Sequence, residues 1–309
     1  MDLFALPSAE RPFALRALRT VAAANGEIGA PEIAMLRAAA DAWRIPFAPS
    51  DVASIEPAEL ARVIEGDDRR QHVLQACMLM SLADQHVTDA ELAVLEAFRA
   101  ALGVDEARMP MMRDLAKGRL FQARMHFRSA SRAAIRSQLN DAGIGDVLRT
   151  AGVLPPNREL ETKVRALEGL PDGTLGREYF HYLRRNGFSL PGTKGGTPEG
   201  LIHHDLTHVL TAYDTDPIGE IEIGSYTAGM KKVDPFTFLL FVMLEFHVGL
   251  AVRPFSESDP GHYDAHRAFQ AHQAGARCAR DLTDHWDFWP DLPRTVAELR
   301  RELAIVPVA

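Results

Sequence analysis

Apolar residues recur three and four positions apart along almost the whole chain, and no stretch alternates apolar with polar residues as a strand does. A period near 3.6 commits a chain to helices that bury one face against each other, so the expected fold is all-α. Helices are expected over residues 12–24, 31–43, 68–83, 89–102 and 119–139, then over 174–186, 198–212, 217–229, 235–250, 261–284 and 292–303. Their ends carry capping chemistry. Thr88 with Glu91 forms a capping box, each side chain serving an orphan backbone N–H. Thr197, Asp216 and Asp234 each place a capping oxygen before a proline, whose fixed φ suits the first helical position. Gly103 and Gly187 fall where a left-handed terminator is wanted.

At 309 residues the chain exceeds one small core, and two helical domains are expected. Residues 1–118 form one, 119–154 a basic helix and linker, and 155–309 the other. Disorder is excluded by 47% hydrophobic residues. The net charge of −8 argues against nucleic acid as a partner, since phosphate neutralisation needs a basic surface. Cys77 and Cys278 read as reduced thiols. The most apolar run, 236–244, is half the roughly 18 residues a membrane span needs. The first residues lack the basic and apolar regions of a signal peptide. Arginine outnumbers lysine 29 to 5, which fits GC-rich bacterial coding. The expected location is the cytoplasm, with peripheral contact to the inner membrane.

The first domain contains a pseudo-repeat. Ala24-Asn25-Gly26-Glu27-Ile28, followed by Glu32 and Leu36, aligns with Ala83-Asp84-Gln85-His86-Val87, followed by Glu91 and Leu95. Each copy is a polar turn between amphipathic helices, and over roughly residues 8–105 it resembles the TerB-like tellurite-resistance domain. That resemblance implies a small helical bundle whose acidic turns are suspected of holding divalent metal. Here Asp84, Asp89 and Glu91 lack the alternating oxygen ligands of an EF-hand, and helix capping accounts for them.

Between the halves, Arg124, Arg128, Arg132 and Arg136 are spaced four apart and form one helical stripe, with no acid between Asp114 and Asp141. Such a stripe attracts anionic lipid or an acidic partner, or it is a solvated face balanced by the acidic remainder of the chain.

The second domain carries the chemistry. In His203-His204-Asp205-Leu206-Thr207-His208, the imidazoles of His204 and His208 lie one turn apart on one helix face, where both reach a single ion. Asp205 lies to the side, able to close on the same ion or to orient a ligand histidine. The helix must stop before Asp216-Pro217, so Glu220 starts the next helix and folds back toward the pair.

His-Asp-x-x-His, eleven residues, then Glu resembles the signature of the coenzyme Q biosynthesis protein 4 family. The segments Leu170-Pro171, Gly173, Gly176-Arg177, Tyr179 and Asn186-Gly187-Phe188 resemble its lead-in, and Gly275 to Trp286 with Leu292, Val296, Leu299 and Leu303 its final helices. The resemblance covers about residues 155–307. It implies a zinc-type site at His204, Asp205, His208 and Glu220, with iron, manganese or cobalt as alternatives. It further implies ubiquinone biosynthesis, either by removal of a ring carboxyl with hydroxylation at the same carbon, or by a non-catalytic scaffold that binds lipid. The resemblance implies a prenylated quinone precursor or lipid and other quinone-biosynthesis proteins as partners; an anionic membrane surface, from the arginine stripe, and a second copy in a homodimer are further expected partners.

Rival chemistries fit less well. A zinc protease needs Glu rather than Asp205 between its histidines. HD phosphohydrolases need a separate upstream His, which His181 supplies, and a downstream Asp that does not stand out. His262 and His266 repeat the one-turn spacing without the acids, and read as a polar helix face. The all-round apolar segment 236–246 suits either a buried core or a prenyl tail, and Glu245 within it must be paired.

Overall fold

In this computed structural model, residues 5–26, 28–46, 48, 51–134, 144–252 and 260–308 are described. Arg136 and the end of the expected 119–139 helix lie outside them, as do Glu27 and part of the linker. The elements are α1 (Arg11–Ala22), α2 (Ala30–Trp43), α3 (Pro57–Val63), α4 (Asp67–Met80), α5 (Asp89–Leu102), α6 (Met109–Ala116), α7 (Leu120–Ala130) and α8 (Ile144–Thr150). They continue with α9 (Arg158–Ala166), α10 (Leu175–Arg185), α11 (Ile202–Thr211), α12 (Pro217–Met230), α13 (Phe236–Met243), α14 (Ala265–Ala276) and α15 (Val296–Glu302). The all-α expectation holds, and the one β pairing among the described residues is the isolated bridge between Thr174 and Thr295.

The caps decide where helices begin. The Thr88–Glu91 capping box is present, Gly103 ends α5 at φ 68°, and Gly187 follows α10 at φ 67°. Asp216 accepts the Gly219 N–H at 2.7 Å. Two expected caps serve other partners. The Thr197 hydroxyl goes to Asp205, and the Asp234 carboxylate takes the Thr237 hydroxyl at 2.7 Å and the Arg108 guanidinium. Several spans are shorter than the periodicity suggests. The 119–139 helix breaks at Ser131, and the 261–284 helix starts only after its Asp264 cap and ends at Ala276. The 235–250 helix becomes α13 and a π-turn over Leu244–Val248, closed by Gly249 at φ 81°.

Two apolar clusters form the interior. One gathers α1–α7 together with α13, the π-turn and the first half of α14, among them Phe98, Leu240, Val252 and Phe269. The other gathers α9, α10, α11 and α15 with Ala271, Leu282 and Trp286. Helix α12 serves both: Ile221 and Ala228 join the first, while Ile223, Tyr226 and Met230 join the second. The apolar side chains of α13 are therefore consumed by the first core. Glu245 beyond it is buried and accepts the Val252 N–H at 2.6 Å.

Two contacts fix these layers. A Cβ on Gly229 would lie 2.0 Å from the His272 carbonyl oxygen, and one on Gly275 would lie 1.9 Å from that of Tyr226, so α12 and α14 touch backbone to backbone. Buried Arg108 donates to Glu106 at 3.0 Å and to Thr237 at 2.7 Å, and its guanidinium sits 5.3 Å from the Phe236 ring centroid. This pins the chain before α6 to the start of α13.

Candidate metal centre

The centre is built where α11 turns into α12. A 3-10 turn, Glu199–Leu201, leads into α11, whose one-turn spacing sets the imidazoles of His204 and His208 with ring centroids 4.9 Å apart. Ala212 closes α11 in the left-handed conformation, at φ 63°, and its N–H returns to the His208 carbonyl at 2.8 Å. The chain then reverses. Asp216 caps α12, and a Cβ on Gly219 would lie only 2.1 Å from the Asp214 carbonyl oxygen. Glycine at 219 thus permits the tight approach that brings Glu220, in the first turn of α12, against the histidines.

Three donor groups result. His204 Nε2 and His208 Nε2 are 3.3 Å apart, His208 Nε2 is 3.5 Å from Glu220 Oε1, and His204 Nε2 is 3.6 Å from Glu220 Oε2. A tetrahedral ion with bonds of about 2.0–2.1 Å spaces its ligands about 3.3–3.4 Å apart. The two imidazole nitrogens stand at that spacing, and each has one Glu220 carboxylate oxygen at a similar distance. Among the described residues no second group of three such donors comes together.

Neighbouring groups orient these ligands. His208 Nδ1 lies 3.2 Å from the Tyr213 carbonyl, which can only accept, so Nδ1 carries a proton and Nε2 is the nitrogen left to serve the centre. The Tyr182 ring stacks on His208 at 5.9 Å. Burial alone would raise the Glu220 carboxyl, but hydrogen bonds and charge from His204 and His208 prevail and hold it far below the ordinary range.

Asp205 is placed differently from the other three sequence candidates. Its carboxylate is not among the gathered donor atoms; Oδ2 takes the Thr197 hydroxyl at 2.9 Å and the Tyr179 hydroxyl at 3.4 Å. Burial raises its carboxyl above the usual range, against the opposing pull of His204, Thr197 and His208. His203 is buried outside the group, and burial, with His204 adding to it, pushes its imidazole down to about 4. His262 precedes the α14 cap and His266, in the first turn, bonds Gln270 at 2.8 Å, so they do not share one helix face as expected. Glu91 is engaged by Thr88, whose N–H and hydroxyl reach its Oε2 at 2.8 and 2.7 Å.

A cavity of about 610 Å³ opens beside His208. Tyr182, Tyr213, Arg185 and Arg300 line it with Val296 of α15. The Arg300 side chain donates to the carbonyls of Leu210 and Val209 at 2.7 and 3.2 Å, tying α15 to the end of α11. Sequence reasoning named none of Thr197, Tyr182, Tyr213 or Arg185 as site residues. Tyr179 and Tyr182 stand three apart on α10, and their helical spacing was the one available signal.

No helix among the described residues is long and apolar enough to cross a membrane. Comparison with protein-family models and with curated proteins finds no match for this chain.

Proposed function

We propose that the chain is a divalent-metal protein whose centre at His204, His208 and Glu220 acts on an aromatic acid of the prenylated quinone-precursor kind. The reaction class follows the resemblance of the His-Asp-x-x-His-x11-Glu segment to the coenzyme Q biosynthesis protein 4 family: loss of the ring carboxyl as carbon dioxide with hydroxylation at that carbon, dioxygen serving as the two-electron oxidant. The observation that carries the metal is the convergence of His204, His208 and Glu220, whose donor atoms stand 3.3, 3.5 and 3.6 Å apart across the three pairs of residues.

Two histidines and one carboxylate, with Asp205 engaged elsewhere, leave a coordination position for water or substrate, whereas structural sites are closed by four protein ligands. A cation held there supplies Lewis-acid polarisation of a carboxylate or phenolate oxygen, and iron, manganese or cobalt would add the electron transfer that zinc lacks. The chain's own groups do the rest. The Tyr213 carbonyl fixes the His208 tautomer, Asp205 lends negative charge to both imidazoles, and Tyr182 holds the His208 ring in plane. Arg185, on the cavity wall, offers counter-charge to an anionic head group.

The test is elemental analysis of protein purified without chelators, beside His208→Ala and Glu220→Ala. About one equivalent of metal in the parent, lost in both variants with helix content kept, supports the reading. A parent protein without metal overturns it. Zinc whose removal unfolds the chain assigns a scaffold role instead.

A further inference from the structure

Helix α7 carries an outward face that the metal centre does not use. Phe121 is 72% exposed, Leu120 52% and Met125 48%, three bare apolar side chains close in sequence. At about 100° per residue, Leu120, Phe121, Arg124, Met125 and Arg128 fall within an arc of about 140°. Ala123 and Phe127, which fall beside Leu120 just outside that arc, are buried in the first core. The bare face is thus a surface of an anchored helix.

The charge on this face has one sign. Residues 115–134 contain Lys117, Arg119, Arg124, Arg128 and Arg132 and no acid, in a chain whose net charge is −8. Asp114 at its edge takes His126 at 2.8 Å and stands 3.9 Å from Arg119. No carboxylate among the described residues pairs with Lys117, Arg124 or Arg132. Arg128 donates to the Val252 carbonyl at 3.1 Å, which neutralises no charge, and Arg124 repels it. A solvated face needs no bare phenylalanine. An anionic bilayer offers both: headgroup phosphates at the level of the guanidinium groups and acyl chains below them.

We propose that α7 docks this protein on anionic membranes, with Leu120, Phe121 and Met125 inserted below the headgroups and Lys117, Arg119, Arg124 and Arg128 paired with lipid phosphates. The full chain sits peripherally, held by one short helix face. The inference is independent of the metal reading, because no residue of the centre takes part.

The test is flotation of the full chain with vesicles of phosphatidylcholine containing phosphatidylglycerol, against vesicles of phosphatidylcholine alone, at low and high salt. Binding is expected to the first and to fall as salt rises. Phe121→Gln is expected to weaken it about tenfold, and Arg124→Gln about fivefold. Both positions lie on the outer face of α7, and an unchanged melting temperature confirms that the variants fold. Absence of binding to the anionic vesicles overturns the proposal, as does binding indifferent to Phe121→Gln. Equal retention on soluble polyglutamate, also indifferent to Phe121, overturns it in favour of an acidic protein partner.

Discussion

His204 Nε2 and His208 Nε2 face each other at 3.3 Å, a distance at which both cannot carry a proton. Without a cation one donates to the other; with one, both lone pairs turn to it and the donor's proton moves to its Nδ1. Protons compete with the cation for these lone pairs, so affinity must fall in acid. Adding zinc to about one hundred times its Kd should raise the unfolding free energy by about 2.7 kcal/mol. Differential scanning calorimetry of metal-stripped protein should show that shift, and His208→Ala should abolish it.

Asp205 and Glu220 should separate by substitution. Glu220→Gln removes one of the three gathered donors, and metal content should drop with little loss of helix. Asp205→Asn leaves the donors in place but disturbs the acceptor used by Thr197 and Tyr179. It should cost about 1–3 kcal/mol while the metal stays bound. Parallel measurement of metal equivalents and melting temperature tests both; equal metal loss in the two variants would make Asp205 a ligand.

Much of this site was readable in the chain, for a local reason. His204 and His208 meet because a helix repeats every turn, and Glu220 follows because Asp216-Pro217 dictates where the next helix starts. Asp205 was less legible, since its neighbours Tyr179 and Thr197 come from α10 and a loop, and nothing in its own helix announces them. The fold shows the same division. Capping residues such as Thr88 and Asp216 marked real boundaries, whereas short helices such as α3 and α6, each opened by a proline at its start, went unseen for want of a long periodic run. The apolar run of α13 could signal a core but not which one, because its partners α4 and α12 are set by tertiary packing.

Gly219 should tolerate no side chain. In Gly219→Ala the new methyl would meet the Asp214 carbonyl oxygen at 2.1 Å, so the first turn of α12 must shift and take Glu220 with it. A stability loss of about 1–3 kcal/mol is expected together with loss of metal. Urea titration and elemental analysis of one sample check both.

His247 should make the protein sensitive to mild acid. Burial lowers its pKa from the ordinary value, although the Ala83 carbonyl, 2.8 Å from Nε2, and Asp84 pull the other way. The unfolded chain then binds more protons than the folded one below about pH 6.5, so stability is full above that pH and declines as the pH falls toward the folded pKa. His247→Gln keeps an N–H for Ala83 and cannot titrate. Its urea midpoint should fall less steeply between pH 7 and 5 than that of the parent.

The sharing of the first core between α1–α7 and the distant segment around α13 has a consequence for biosynthesis. The helices up to residue 134 leave the ribosome well before residues 236–252, which complete their core. At about 5–20 residues per second, that interval lasts roughly 6 to 24 seconds. During it α4, which packs against α13, lacks part of its cover, so the nascent front half is a natural client for chaperones until the back half arrives.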